Sequence, residues 1–292
     1  VPRSRPTGAI PAPVLFLVSG FTQYYGAALA IGLFAVIPAV SVAWWRLAVS
    51  ALVLLAWRRP WRLGWSRREL AGSAVFGIVL ATMNVSFYLA LSHLPLGTAV
   101  ALEFLGPVGV AAMTGRHWRE RLGIVLAASG VVLLAGVSLE TGSGTGTLIG
   151  LAAIAVSAIT WAGYIVLGRR IAGVRNGVDS LAVGMTAGAI VWSPLVVFGW
   201  DGVRADPRRL LVLLGIALLS SVVPYVLEQL VLRRTAAARF AILLALLPVT
   251  AAITGAFALQ QIPSAAEVVG IAAICGAIVL SGRGSRPDPA LP

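Results

Sequence analysis

Ten apolar runs follow one another along this chain with little between them. Each is roughly 17 to 23 residues long, the length a helix needs to cross the hydrocarbon core of a bilayer. They run approximately Pro13 to Leu33, Ala39 to Trp57, Leu70 to Leu91, Gly97 to Met113, Leu122 to Leu139, Leu148 to Leu167, Val178 to Gly199, Leu210 to Leu232, Ala236 to Leu259 and Ser264 to Ser281. In lipid every backbone N–H and C=O must be satisfied inside the protein, which restricts such runs to helices. The expected fold class is an all-α polytopic membrane protein with ten transmembrane helices. Composition agrees, because a 292-residue chain that is 59% hydrophobic and 11% charged has more apolar surface than one soluble core can hide.

The net charge of +12 does not point to nucleic acid. All 22 basic residues are arginines, set in short clusters between the apolar runs. With the N-terminus inside, the cytoplasmic segments hold Arg3, Arg5, Arg58, Arg59, Arg62, Arg67, Arg68, Arg116, Arg119, Arg121, Arg169, Arg170, Arg175, Arg233, Arg234, Arg239, Arg283 and Arg286. Only Arg204, Arg208 and Arg209 then lie outside, so the positive-inside rule predicts two cytoplasmic termini and a multi-pass protein of a bacterial-type inner membrane. Trp57, Trp61, Trp65, Trp118 and Trp200 near helix ends fit an aromatic belt. The leader, Val1 to Pro13, could be read as a signal peptide cut near Ala28-Leu29-Ala30, but its apolar run is long and the following ones repeat it. Cys275 has no second cysteine to pair with and reads as core filler.

The segment from His93 to Gly115 carries two features that are expensive in lipid, Glu103 and Pro107. Of ten acidic residues only Glu103 and Glu228 fall well inside predicted helices. An unpaired ionised carboxyl at a helix centre costs roughly 2.5 to 3.5 kcal/mol, so such groups face a cavity, pair, or stay protonated. A carboxyl of this kind can exchange a proton or hold a substrate ammonium; the bland alternative is a structural hydrogen bond between helices. Pro107 and Pro224 leave carbonyls near Glu103 and Ser220 without their helical donors, and Ser220 and Ser221 are placed to help. A kink needed only for packing is the competing reading.

Asn84 and Tyr88 share one face of the third helix, and Trp161 and Tyr164 one face of the sixth. Aromatic walls with one amide suit a small zwitterion, with Tyr225 and Gln23 as further polar contacts. These aromatics could equally be packing or anchors. Arg46, after Trp44-Trp45, lies a few residues below the outer surface, where it can snorkel or bind a substrate carboxylate. His93 reads as a solvated turn residue, and Arg239 as snorkelling to the inner surface.

The chain divides at the Gly-rich link Thr141-Gly142-Ser143-Gly144-Thr145-Gly146. Five helices per half is an odd number, so two related halves must insert with opposite orientation, residues 1–140 as the first repeat and 148–282 as the second, with a cytoplasmic tail from 283 to 292. Leu105-Gly106-Pro107-Val108 echoes Leu246-Leu247-Pro248-Val249, which pairs helix four with helix nine.

Pro95-Leu96-Gly97, then Ala99-Val100-Ala101-Leu102-Glu103-Phe104 and Gly106-Pro107, resembles the first-repeat signature of EamA-type members of the drug/metabolite transporter superfamily, most like their threonine/homoserine exporter branch. Met83-Asn84 with Phe87-Tyr88, Trp161-Ala162 with Tyr164-Ile165, and Pro224-Tyr225 with Leu227-Glu228 fall in the same order. The resemblance implies two inverted EamA repeats and export of small metabolites, of the threonine/homoserine kind. One position departs: the branch commonly carries a glutamate before the proline of helix nine, and here Leu247 stands there. The second half thus lacks a carboxyl mirroring Glu103, which weakens any mechanism built on a symmetric pair.

The sequence has no Walker A loop, zinc-ligand spacing, nucleophile elbow or dinucleotide fingerprint, which argues against an enzyme, a metal site or a cofactor. The expected partners are a small-molecule substrate, protons and membrane lipid, and the expected mechanism is alternating access around a midplane cavity, with proton antiport as its coupled form. Efflux of hydrophobic or cationic drugs is the alternative within transport, and a non-transporting membrane scaffold the alternative outside it.

Overall fold

A computed structural model describes residues 11–114, 118–141, 144–172, 177–225, 227–228 and 243–284. Among them all regular structure is helical: α1 Ala12–Leu33, α2 Ala39–Arg58, α3 Arg67–Leu91, α4 Leu96–Glu103, α5 Leu105–Thr114, α6 Trp118–Thr141, α7 Thr145–Ala172, α8 Gly177–Val191, α9 Leu195–Arg204, α10 Arg208–Ala217, α11 Leu246–Ala258 and α12 Ala265–Gly284. The leader with Arg3 and Arg5, together with Arg116, Arg175, Arg233, Arg234, Arg239 and Arg286, lies outside the described residues.

Six helical stretches are long and apolar enough to cross a membrane: Ala12–Leu33, Ala39–Arg58, Arg67–Leu91, Arg121–Glu140, Thr145–Gly168 and Arg208–Tyr225. The bent pair α8 and α9 makes a seventh candidate, and shorter apolar helices occupy Leu96–Val110, Leu246–Ala258 and Ala265–Leu280. Prolines account for the short and bent pieces. Pro107 has no N–H to offer the Glu103 carbonyl and its ring crowds that oxygen, so the helix resets at Phe104, three residues before the proline. Ala245 marks the same reset three residues before Pro248, with nearly the same backbone angles (φ −63°, ψ −15° against φ −63°, ψ −8° at Phe104).

The expected seventh span, Val178 to Gly199, is not one straight helix. Its chain turns by 89° between α8 and α9. Pro194 cannot donate to the Ile190 carbonyl, which takes the Ser193 N–H instead at 3.2 Å. Between the runs that end at Gly199 and begin at Leu210, α9 takes up residues 200–204 and α10 residues 208–209, leaving a turn at residues 205–207. Its start is fixed on α2, where the Ser41 hydroxyl donates to the Leu195 carbonyl at 2.7 Å. Pro224 acts differently: α10 passes into a π-helical turn, Leu218–Val222, in which the Val223 N–H reaches five residues back to the Leu218 carbonyl.

Local caps set other boundaries. Ser66 and Glu69 form a reciprocal capping box that starts α3 three residues before the apolar run. Ser264 and Glu267 do the same for α12. Gly144, in the left-handed region at φ 63°, delivers the chain into α7.

In the bundle α3 packs on α7 and α8, while α10 with its π turn packs on α1 and α2. α1 lies against α11, and α7 against α4 and α5; α2 meets α8, α4 meets α11, and α6 meets α12. The α3–α8 crossing is made by backbones. A Cβ on Gly77 would run into the backbone of Gly184, and one on Gly188 would lie 2.6 Å from the Ala81 Cβ and 2.8 Å from the Gly77 carbonyl. Small residues at such crossings replace the hydrophobic driving force that lipid removes. Leu47, Leu54, Phe76, Leu80, Leu181 and Met185 fill the core around it. Trp57, Trp61, Trp118 and Trp200 are exposed, while Trp65 donates its indole N–H to the Pro60 carbonyl at 2.8 Å.

Candidate functional site

Glu103 ends α4 at the break that Pro107 imposes, and it is buried. Its Oε1 lies 2.5 Å from the hydroxyl of Ser157 on α7. The same hydroxyl is 3.0 Å from the Met83 carbonyl on α3. Glu228, half-buried beyond Pro224, accepts from the Ser19 hydroxyl of α1 at 3.3 Å. Each of the two carboxyls is thus held by a fully buried serine on a helix from the other part of the chain.

Arg46 is the cation of this region. Its side chain does not snorkel outward: the residue is 6% exposed, its guanidinium carbon sits 4.8 Å from the Tyr88 ring centroid, and Nη1 donates to the Tyr88 hydroxyl at 3.3 Å. Stacking on an aromatic face compensates part of the desolvation of a buried guanidinium. Among the described residues Arg46 Nε has no hydrogen-bond partner, and the ion pair present is that of Arg58 with Asp179. Arg46 and Glu103 feel each other's charge without closing to contact.

The remaining expected residues gather around these groups. Asn84, one turn before Tyr88 and buried, donates to the Leu80 carbonyl at 2.7 Å and lies near the Tyr225 phenol. Trp161 meets Phe104 edge to face at 4.7 Å, and Tyr164 stacks on Phe76 at 4.7 Å. Tyr164 also neighbours Tyr225 and Glu228 electrostatically. Gln23 enters through its backbone, which accepts from the Ser220 hydroxyl at 3.2 Å, and its side chain is half-buried. Pro224 is buried next to Tyr225. Pro248 and Leu247 are buried in α11, where Leu247 packs 3.1 Å from the position a Cβ would take on Gly20, the residue after Ser19. His93 is exposed in its turn.

Ser19, Tyr24 and Ser157 belong to the site and are not among the residues expected from the sequence. Tyr24 is buried on α1 and lies near both Glu103 and Glu228. The missed signal was helical spacing, since Ser157 precedes Trp161 by four residues and Tyr164 by seven, on the same face. A separate cleft of about 250 Å³ opens at the other end of α4, lined by Pro95, Thr98, Gln260, Gln261 and Glu267. There the Gln261 amide oxygen accepts from the Leu96 N–H at 2.9 Å and Thr98 donates to Glu267 at 2.9 Å.

Two carboxyls, a guanidinium with no ion pair among the described residues, an amide and phenols enclosed by apolar helices of membrane-spanning length define a polytopic membrane protein with a polar interior. The chain belongs to the EamA-like transporter family, whose pattern matches residues 148–283. It is 33% identical over 280 residues to the threonine/homoserine exporter RhtA of Salmonella typhimurium (strain SL1344), covering 95% of this chain and 93% of that one. The protein of the same name from Escherichia coli (strain K12) is 32% identical over 281 residues, covering 93% of this chain and 90% of the relative. A crystal structure 18% identical in sequence has the same fold, with a TM-score of 0.58 over 92% of this chain and 95% of that chain.

Proposed function

We propose that the chain exports small amino acids of the threonine and homoserine kind across the inner membrane, by alternating access around the chamber that holds Arg46, Glu103 and Glu228. The observation that carries this reading is the state of Arg46: a buried cation near the Glu103 carboxyl, ion-paired to no acid among the described residues and with Nε unpartnered. A zwitterion completes such a site, its carboxylate on the guanidinium and its ammonium on a carboxyl. Asn84, Tyr88, Trp161 and Tyr225 supply the walls and the polar contacts for a small side chain. The names of the curated relatives support the same substrate class.

The two halves, residues 1–140 and 148–282, are read as inverted five-helix repeats with both termini cytoplasmic, ten helices in all. Two features support this. The pairing of α3 with α7 and α8 is matched by the pairing of α10 with α1 and α2, and Pro107 and Pro248 impose the same break on α4 and α11. Glu103 and Glu228 are the groups through which protons would be exchanged for substrate. Because Leu247 fills the place of the branch's second carboxyl, Glu228 takes that part from a different helix.

The test is efflux of threonine and homoserine from proteoliposomes, with and without an imposed pH gradient, for the intact chain, Glu103→Gln, Glu228→Gln and Arg46→Gln. Saturable efflux driven by the gradient and lost in a carboxyl variant is the expected result. Flux of lipophilic cations in place of amino acids, unaffected by Arg46→Gln, would move the assignment to drug efflux. No substrate-dependent flux of either kind would leave a membrane scaffold.

A further inference from the structure

We infer that Ser157 is a positioning residue whose hydroxyl reports the proton occupancy of Glu103 to the junction of α3, α4 and α7; this rests on the reading of Glu103 as a proton site. Ser157 is fully buried, and its Oγ stands 2.5 Å from Glu103 Oε1 and 3.0 Å from the Met83 carbonyl. A serine hydroxyl has one proton to donate and lone pairs to accept with. When Glu103 is ionised, that single proton is drawn to the carboxylate, because the charged acceptor makes the stronger bond. Met83 is then left with what its own helix supplies. When Glu103 carries a proton, its O–H donates to Ser157 Oγ and the Ser157 O–H donates to Met83. Both short contacts are then satisfied, each by its own proton.

Proton occupancy therefore reverses the direction of the bond at Ser157 and makes or releases a link to α3. The link crosses between parts of the chain: Met83 and Glu103 precede the Gly-rich segment, and Ser157 follows it. The charged and titratable groups facing Glu103 are Arg46 from α2, Tyr24 from α1 and Tyr225 from beyond the π turn, with Glu228 near Tyr24 and Tyr225. Tyr88 of α3 is engaged by Arg46, Glu267 of α12 is held at the far end of α4 by Thr98, and α5 and α11 carry no titratable residue. On α7 the nearest titratable residue is Tyr164, stacked on Phe76. Ser157 is the one of these neighbours in direct hydrogen-bond contact with the Glu103 carboxyl among the described residues.

The experiment is an infrared pH titration of the full chain in lipid vesicles, read in the carboxylic-acid C=O stretch. It is run on the native chain, Glu103→Gln, Ser157→Ala, Ser157→Cys and Ser157→Thr. Thr keeps the hydroxyl and Cys keeps the volume with a weak donor, so the pair remains informative if the alanine variant does not assemble. The expected result is a band absent in Glu103→Gln, displaced toward a less strongly bonded carbonyl in the Ala and Cys variants, and restored by Thr. Threonine exchange falls about tenfold in the Cys variant, the effect of losing one hydrogen bond to a charged group, with its pH profile displaced. A band unmoved in Cys, or moved equally in Cys and Thr, means that Ser157 acts only by packing, and the inference falls. If no band depends on Glu103, the proton-site reading itself falls, a result distinct from either of those.

Discussion

Arg58 and Asp179 form a two-point ion pair, Nε to Oδ1 at 2.8 Å and Nη2 to Oδ2 at 3.3 Å, joining the last residue of α2 to the first turn of α8. Asp179 is buried, while the Arg58 side chain is 31% exposed. The acid also sits at the positive end of the α8 dipole. Asp179→Asn is expected to lower stability by about 1 kcal/mol, the modest value reflecting solvent screening of the arginine. The exchange Arg58→Asp with Asp179→Arg should restore less than the native value, since it places a cation at a helix N-terminus. Thermal unfolding in detergent, followed by tryptophan fluorescence, distinguishes the three.

Two glycines of α3 should respond in opposite ways to the same substitution. Gly77→Ala drives a Cβ into the Gly184 backbone, which has no side chain to move aside, and the α3–α8 crossing must open. Nothing lies within 4 Å of a Cβ on Gly72, so Gly72→Ala is expected to be neutral or to stabilise by up to about 1 kcal/mol through helix propensity. Size-exclusion profiles and unfolding midpoints in one detergent compare them. Equal behaviour would remove the packing account of the crossing.

Arg46→Gln should separate the carboxylate of the substrate from its ammonium. The KM for threonine is expected to rise about tenfold or more, as for the loss of one charge-assisted contact. An amino alcohol of the same size, which has no carboxylate, should be transported by the native chain and the variant alike. Arg46→Lys is expected to recover little, because a point charge does not reproduce the stack on Tyr88.

Leu247→Glu restores the family's second carboxyl in sequence but not in surroundings. Leu247 is 3% exposed and packs against α1 at Gly20. The variant is expected to lose roughly 2.5 to 3.5 kcal/mol of stability, the insertion cost of a charge at a helix centre. No gain in gradient-driven flux should accompany it, since Glu228 already supplies a carboxyl. Increased flux with intact stability would count against that division of labour.

Much of the frame was legible because lipid permits few alternatives. Apolar length located the long helices, and carboxyls that lipid penalises drew attention to Glu103 and Glu228. Pro107 marked its own break. Elsewhere a short-range effect outweighs hydropathy. Ser193 and Pro194 are too few residues to interrupt an apolar run, yet they turn the chain by 89°. Depth below the surface suggests snorkelling for Arg46, whereas the phenol of Tyr88, near the end of α3, decides where its guanidinium goes. Ser157 is a different case: its spacing puts it on the face of Trp161 and Tyr164, but a serine in a membrane helix usually bonds its own backbone, as Ser138 does with Leu134 at 2.8 Å, and the spacing does not show that this hydroxyl bonds Glu103 instead.

The π turn at Leu218–Val222 sets the rotational phase of everything after it. An α-helix advances about 100° per residue, so one additional residue in a turn rotates the following side chains by about that angle around the axis. Tyr225 and Glu228 meet Asn84 and Ser19 in the phase that this extra residue gives them. Carried on as a regular helix from Arg208, the same sequence would aim the glutamate roughly a quarter-turn away from its serine. The compass bearing of the second carboxyl is therefore fixed several residues upstream, by the irregular turn that precedes Pro224.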